Sequence, residues 1–317
     1  MKISYEEAAK YLSENDSYLI LTHKNPDGDT LGSACALCRG LRSAGKQAFV
    51  LENAGATARY TQYLDGLIAE DSYIPSKIIA VDIADTKLFP PASCEYGEKV
   101  DLVLDHHVSH KSFAAHELVD ADAAACGEII WTVLKLMGAP LNREIANAIY
   151  VAISTDTSCF LNSNTTAHTH ETAAQLYAYG IDFEGINRTF FVVKTRARLA
   201  VEARLISNMR FYLDGKLAVM EITKKLVEET GADEDDLDNI SSLARSIEGV
   251  EVGMLIRERV EGESKISMRS SSYADVAKIC GHFGGGGHIR AAGCAIKMPT
   301  AEAEAFVVAT IMKEKLL

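Results

Sequence analysis

The sequence predicts an α/β protein: a parallel-sheet domain with helices on both faces, a helical connector, and a smaller α/β unit at the C-terminal end. Three observations carry that prediction. Short apolar runs of strand length alternate with helical patterns over residues 1–185, as in βαβ units. Acidic and histidine residues recur just past those runs, where open α/β sheets gather their ligands. A turn signal, Asp214-Gly215, then opens a second series of strand and helix patterns.

Ser4 is placed to cap a helix running from Tyr5 to about Asn15. Strands are predicted at 17–22, 47–51, 77–82 and 100–104, and helices at 30–44, 57–64, 123–137, 142–153 and 166–179. Residues 186–212, rich in Arg and aliphatic side chains, read as a long helical connector. Strands follow at 216–222, 250–258, 264–269 and 293–297, with helices at 223–230, 238–248, 273–281 and 300–315. The expected organisation is therefore 1–185, a linker at 186–212, and 213–317. The acidic stretch Asp233 to Asp238 reads as a solvated loop that starts a helix.

Composition bounds the function. At 317 residues, 48% hydrophobic and 24% charged, the chain is an ordinary globular protein long enough for two domains. A net charge of −12 counts against long duplex nucleic acid, whose binders rely on basic faces. A small anionic ligand stays open, because bound cations reverse the field at one site. No apolar run approaches the roughly 20 residues that span a bilayer, and the N-terminus lacks a signal peptide's apolar centre. Seven cysteines without regular spacing predict reduced thiols and a cytoplasmic protein. Monomer and homodimer are both left open.

The densest chemistry lies in His23-Lys-Asn-Pro-Asp27-Gly-Asp29, directly after the apolar run Tyr18 to Thr22. An imidazole and two carboxylates so close together suit hard or borderline divalent cations. Comparable groups end other segments: Asp82 after Lys77-Ile-Ile-Ala-Val81, Asp105-His106-His107 after Asp101-Leu-Val-Leu104, and Asp156 in Ser154-Thr-Asp-Thr157. Any one of these is an ordinary turn. Together they point to one metal centre. Asp27 and Asp29, at alternate positions, are able to face two ions, with Asp82 bridging and His106 and Asp156 completing the second. Two cations about 3.5–4 Å apart share a hydroxide and clamp an in-line phosphoryl displacement. Asp105 is expected to accept the proton on a histidine's far ring nitrogen. His107 is then expected to face substrate, orienting a phosphate or protonating a leaving oxygen.

In the second half, Gly284-Gly-Gly-Gly287-His288-Ile-Arg-Ala-Ala-Gly293 stands out. Consecutive glycines (Gly284, Gly285, Gly286 and Gly287) expose backbone N–H groups and permit positive φ, which suits an approaching anion. A flexible hairpin is the competing reading, and the adjoining His288 favours ligand binding over it. Arg269 ends a predicted strand and offers phosphate a guanidinium fork, though taken alone it is a surface charge. His110, His116, His168, His170 and His282 read as surface or loop histidines. Cys35 and Cys38 read as buried packing in a helix, and Trp131 as core.

Those residues resemble the motifs of the DHH phosphoesterase superfamily over nearly the whole chain. His23 to Asp29 is similar to its first motif, Asp82 to its second, Asp105-His106-His107 to its third and Asp156 to its fourth. Residues 284–293 are similar to the hallmark of the DHHA1 domain. The resemblance implies two divalent cations, Mn²⁺ with Mg²⁺ as the alternative. It places His23, Asp27 and Asp82 on one ion, and Asp29, Asp82, His106 and Asp156 on the other. It also implies substrate contacts from His107, Arg269 and His288. The short chain most resembles the nanoRNase group, which implies hydrolysis of short oligoribonucleotides or of 3′-phosphoadenosine 5′-phosphate (pAp). A phosphodiesterase for linear or cyclic dinucleotides is the alternative activity, and a catalytically silent nucleotide-binding module the alternative class. Cys126 departs from the Thr or Ser expected there and puts a contact at a helix start in doubt.

Overall fold

Ser4 opens the first helix through a reciprocal cap: its hydroxyl accepts from the Glu7 N–H while the Glu7 carboxylate accepts from the Ser4 N–H. Such a cap contributes about 1 kcal/mol. It begins the computed structural model, which describes residues 1–260 and 262–317. The chain forms two units, Met1–Val193 and Lys194–Leu317.

The first unit runs α1 (Tyr5–Glu14), β1 (Tyr18–Leu21), α2 (Gly28–Ser43), β2 (Ala48–Val50), α3 (Ala58–Thr61), β3 (Lys77–Val81), β4 (Leu102–Asp105) and β5 (His116–Val119). Helices α4 (Cys126–Leu136), α5 (Arg143–Asp156), α6 (Ala167–Tyr177) and α7 (Phe183–Asn187) follow. Its five strands are all parallel, in the order β2-β1-β3-β4-β5. Alternation sends Tyr18, Ile20, Ile79, Val81, Leu102 and Leu104 to one face, beneath α1, α2, α4 and α5. Leu19, Leu21, Ile78, Ala80 and Val103 point the other way. There the expected helical cover consists of short 3₁₀ segments, Thr86–Leu88 and Pro91–Tyr96, with Phe89 packed between. The chain leaves β1 toward β2 and returns to β3 on the opposite side. That reversal opens a crevice at the carboxyl ends of β1 and β3. Strand β5 escapes prediction because it is an edge strand containing His116 and Glu117, without a clear apolar run.

The predicted continuous connector is broken. A π-helical turn at Arg188–Val192 follows α7, extended backbone at Val193 interrupts it, and Thr195 caps a new helix, α8 (Arg196–Ser207). Helix α8 buries Val201 and Leu205 beside Ile240 and Ala244, so by packing it belongs to the second unit. The last connector residues form a strand, β6 (Arg210–Tyr212), paired with β7 (Leu217–Ile222).

The second unit continues with α9 (Lys224–Thr230), β8 (Val252–Val260), β9 (Glu263–Ser270), α10 (Val276–Gly281), β10 (Gly286–His288), β11 (Ala291–Ile296) and α11 (Thr300–Glu314). Its six-stranded sheet has the order β10-β11-β9-β8-β7-β6, with β7 and β8 the parallel pair. The acidic stretch before residue 240 is not simply solvated. Asp236 is 4% exposed, and its carboxylate accepts from the Thr195 hydroxyl and the Asp233 N–H. Among the described residues no helix is long and apolar enough to cross a membrane.

Candidate active site

Every predicted metal ligand of the first unit lies at the crevice end of its element. His23 follows β1, Asp27 caps α2, Asp29 sits in its first turn, and Asp82 follows β3. Asp105 is the last residue of β4, His106 and His107 come next, and Asp156 closes α5. Two glycines bring α2 against α5: a Cβ at Gly28 would lie 2.3 Å from the Thr155 hydroxyl oxygen, and one at Gly32 2.6 Å from the Ala148 carbonyl. That close approach carries Asp29 toward Asp156.

Asp82 sits at the centre. Its Oδ2 lies 3.6 Å from His23 Nε2, and its Oδ1 lies 3.5 Å from both His106 Nε2 and His107 Nδ1. The Thr30 hydroxyl donates to Oδ2, a partner that no sequence signal announces. Oδ1 is buried and makes no hydrogen bond. The backbone of Asp82 is left-handed, with φ +58°, and its N–H donates to the Leu104 carbonyl at 2.9 Å. Such a conformation costs roughly 1–3 kcal/mol and is held where function over-determines it. Around Asp82, ligand atoms form three tight groups: His23, Asp27, Asp82; Asp29, His106, Asp156; and Asp82, His106, His107.

Asp27 and Asp29 also do structural work. Asp27 Oδ1 accepts from the N–H groups of Asp29 and Thr30, both at 3.1 Å, capping α2. Asp29 accepts from the Cys126 N–H at 2.7 Å, from the Gly127 N–H at 3.0 Å and from the Ser33 hydroxyl at 3.0 Å. It thereby caps α4 from another helix. The Ala125 cap position offers no side chain of its own, so Asp29 satisfies the helix start beside Cys126. Asn164, also unheralded, donates to Asp156 Oδ2 at 3.3 Å.

The histidines are sorted by their second ring nitrogens. His106 Nδ1 meets the Ala123 carbonyl at 3.2 Å, which fixes its proton there and turns Nε2 toward Asp29 (3.6 Å), Asp82 and Asp156 (3.9 Å). His107 Nδ1 donates to Asp105 Oδ1 at 2.7 Å. His110, read from sequence as a surface or loop residue, has a side chain only 7% exposed and donates to Asp105 Oδ2 at 2.5 Å. Burial alone would raise the Asp105 pKa, but the bonds from His107 and His110 hold it far below the carboxylate range. Asp29 is pushed well up by burial and by the charge of Asp82. For His106, Asp29, Asp82 and Asp156 outweigh the opposing effect of burial and lift the imidazole to about 9. Like charges held this close, with a buried carboxylate oxygen left unbonded, fit a divalent cation. The mixed oxygen and imidazole donors suit a hard or borderline divalent cation.

In the second unit, β10 pairs with β11 and β11 with β9, which aligns His288, Ala291 and Arg269 in one row. Directly opposed residues share a face, so the small Ala291 separates the imidazole from the guanidinium. On the other side of Arg269 the row continues to Gly253. Arg269 is largely enclosed and makes no ion pair among the described residues; its Nη1 donates to the Met268 carbonyl at 3.0 Å. Burial and the nearby Arg245 lower its pKa, as an uncompensated guanidinium requires. The second half of the glycine run, Gly286 and Gly287, is paired in a hairpin strand rather than lying in a free loop. Gly285 and Gly287 are sterically required, since a Cβ would meet the Gly293 carbonyl at 2.2 Å and the Ala291 carbonyl at 2.5 Å. Gly286 faces open space.

A parallel α/β domain with converging aspartates and histidines, joined to a mixed-sheet domain, defines a class of metal-dependent phosphoesterases. The DHH family N-terminal domain matches residues 17–153 and the DHHA1 domain matches residues 214–313. The bifunctional oligoribonuclease and PAP phosphatase of Thermus thermophilus is 32% identical over 88% of this chain and 83% of its own length. The Bacillus subtilis protein of the same description is 25% identical over 92% of each chain. Among solved structures, an exopolyphosphatase-related protein from Bacteroides fragilis shares the fold, with a TM-score of 0.83, 24% identity and coverage of 97% and 96% of the two chains. The chain belongs to the DHH–DHHA1 phosphoesterase family.

Proposed function

We propose that this phosphoesterase hydrolyses short oligoribonucleotides and pAp, the activities named for its relatives from Thermus thermophilus and Bacillus subtilis. The observation that carries this reading is the convergence of Asp27, Asp29, Asp82 and Asp156 with His23 and His106 around one crevice, beside a His107 held by Asp105. His23, Asp27 and Asp82 would hold one divalent cation, and Asp29, Asp82, His106 and Asp156 a second. Mn²⁺ is the ion proposed, with Mg²⁺ the alternative. Cations there supply charge that acidifies a water and neutralises a phosphoryl group.

The chain's own residues do the rest. Ala123 and Asp105 fix the tautomers of His106 and His107, so that both present Nε2. Although burial opposes it, Asp105 and Asp82 raise the affinity of His107 for a second proton. A protonated imidazole is the form that donates to a leaving oxygen. Arg269 and His288, beside the run Gly284 to Gly287, would take an anionic end of the substrate through charge-assisted bonds. Within the run the Gly284 and Gly285 N–H groups are held by the Gly281 and Cys280 carbonyls, which leaves Gly286 and Gly287 as its candidate donors.

The test is a substrate panel on purified, Mn²⁺-loaded protein: RNAs of graded short length, pAp, and linear and cyclic dinucleotides. Metal-dependent turnover greatest on the short RNAs and pAp is expected. Turnover confined to dinucleotides would replace the reading with a dinucleotide phosphodiesterase, and metal-bound protein silent on the whole panel would leave a binding module.

A further inference from the structure

We propose that His110 is a positioning residue: it holds the Asp105 carboxylate in the orientation from which Asp105 holds His107. The inference rests on the phosphoesterase reading for its kinetic part only.

Asp105 is fully buried, and its two oxygens are divided between two imidazoles. Oδ1 accepts from His107 Nδ1 at 2.7 Å and from the His106 and His107 N–H groups at 2.9 and 3.3 Å. Oδ2 is taken by His110 Nδ1 at 2.5 Å. An ionised carboxylate only accepts, so both imidazoles carry their proton on Nδ1. For His107 that leaves Nε2 as the nitrogen facing away from Asp105. The orientation of the Asp105 plane thus decides which face of His107 the crevice meets.

What keeps His110 in place is a small scaffold of its own. Its N–H donates to the His107 carbonyl at 3.1 Å, so the loop after β4 folds back and returns the ring to Asp105. The ring packs 5.5 Å from that of Phe113. Its Nε2 makes no hydrogen bond and lies 3.9 Å from a Glu117 oxygen. Glu117, on β5, is itself fixed by the Ser112 hydroxyl and by the Phe113 and Ala114 N–H groups. Position therefore passes from the edge strand through Glu117, His110 and Asp105 to His107. A buried imidazole with one nitrogen unbonded is costly as mere filling, since an apolar side chain of its size would pack there without desolvation.

Three variants test this. His110→Leu keeps volume and removes the Nδ1 donor; His110→Asn returns an amide nitrogen near the Nδ1 position; His110→Gln carries its amide farther out, beyond Asp105. The leucine variant is expected to lose kcat by about 10–100-fold, the usual scale for a group that orients another, with KM and bound metal unchanged. Asn should restore most of that loss and Gln should not. Imidazole ¹⁵N NMR on the metal-free protein, recorded at a pH alkaline enough to keep the ring neutral, supplies a readout that needs no turnover: His107 should be the Nδ1–H tautomer in the wild type and Asn variants, and a tautomer mixture in the Leu and Gln variants. Unchanged kcat and tautomer in the leucine variant would overturn the proposal, as would equal behaviour of Asn and Gln. Should the leucine variant fail to fold, Asn against Gln carries the same comparison. A wild-type protein inactive on every phosphoester refutes the functional reading alone, and the tautomer measurement still decides the role of His110.

Discussion

The crevice of the first unit and the hairpin of the second are built on opposite plans. In the crevice the plan resides in side chains, and each is pinned by a neighbouring group: Asp29 by the start of α4, Asp82 by Thr30, His106 by the Ala123 carbonyl, His107 by Asp105. In the hairpin the plan resides in what is missing. Ala291 and Gly253 flank Arg269 with little bulk, and Gly285 and Gly287 allow β10 to lie against β11. A preorganised crevice is suited to chemistry, because fixed dipoles cost no reorganisation when charge develops. A stripped, exposed strand is suited to receiving an anion.

The largest expected effect breaks the crevice at its centre. Asp82→Ala removes the carboxylate common to two of the three ligand groups. Activity should fall by at least about 10²–10³-fold, the scale of losing one charge-stabilising group. Bound metal, measured by elemental analysis, should fall with it while circular dichroism stays native. Near-normal turnover would remove Asp82 from the metal site. His107→Ala should come next, with kcat reduced about 10²-fold, the lower end for a proton-transferring group, and metal content kept. Loss of a metal equivalent would instead make His107 a ligand, as its 3.5 Å approach to Asp82 permits.

Why the crevice was legible and the hairpin less so follows from those plans. His23, Asp27, Asp29, Asp82 and Asp156 announce themselves because a carboxylate or imidazole beyond an apolar run has few other uses in such numbers. The central strands were equally plain, since fully buried parallel strands read as apolar runs: Tyr18–Leu21 and Lys77–Val81 fall inside the predicted spans, whereas the edge strand β5 does not. Partners were not. Thr30 and Asn164 have no spacing that marks them, and His110 looks like any loop histidine until the fold returns it to Asp105. The predicted connector helix failed for a tertiary reason, because Val201 and Leu205 pack into the second unit while Arg210–Tyr212 pairs with β7. Arg269 gained its meaning from register, which places it in line with His288.

A smaller effect separates the metal-free crevice from the loaded one. Burial, with Asp27 and Asp82 opposing the pull of His106, pushes Asp156 up to about 7. His106 stands at about 9. Both shifts mean that the folded, metal-free protein binds more protons than the unfolded chain. The cost of ionising Asp156 grows from the ordinary carboxylate range to about pH 7, and the His106 contribution, complete below its unfolded pKa, is lost as pH rises toward 9. Metal-free protein should therefore melt at lower temperature at pH 9 than at pH 6. Cations bind the deprotonated ligands, so the gap in Tm between Mn²⁺-loaded and metal-free protein should widen over that range. With its side chain 32% exposed, Asp156 is partly screened and contributes less than His106. A gap that stays flat from pH 6 to 9 would mean these groups hold no cation.

The smallest effect probes the hairpin. Arg269→Ala removes one charge-assisted contact, which should weaken binding of a dinucleotide by about 1.5–3 kcal/mol. A minimal activated phosphodiester, lacking the end that Arg269 would hold, should be hydrolysed as before. Gly286→Val complements that variant. A Cβ at Gly286 meets nothing within 4 Å, so the fold tolerates it, whereas Gly285 and Gly287 stand too close to β11 for any side chain. Valine at 286 would then obstruct an anion approaching the N–H groups without disturbing the sheet, and Tm should not change. The deciding comparison is kcat/KM for the dinucleotide against that for the minimal substrate in both variants. A loss confined to the dinucleotide assigns the hairpin to substrate. If both substrates lose equally, the second unit supports structure alone, and the contrast between a chemical crevice and a receiving strand is wrong.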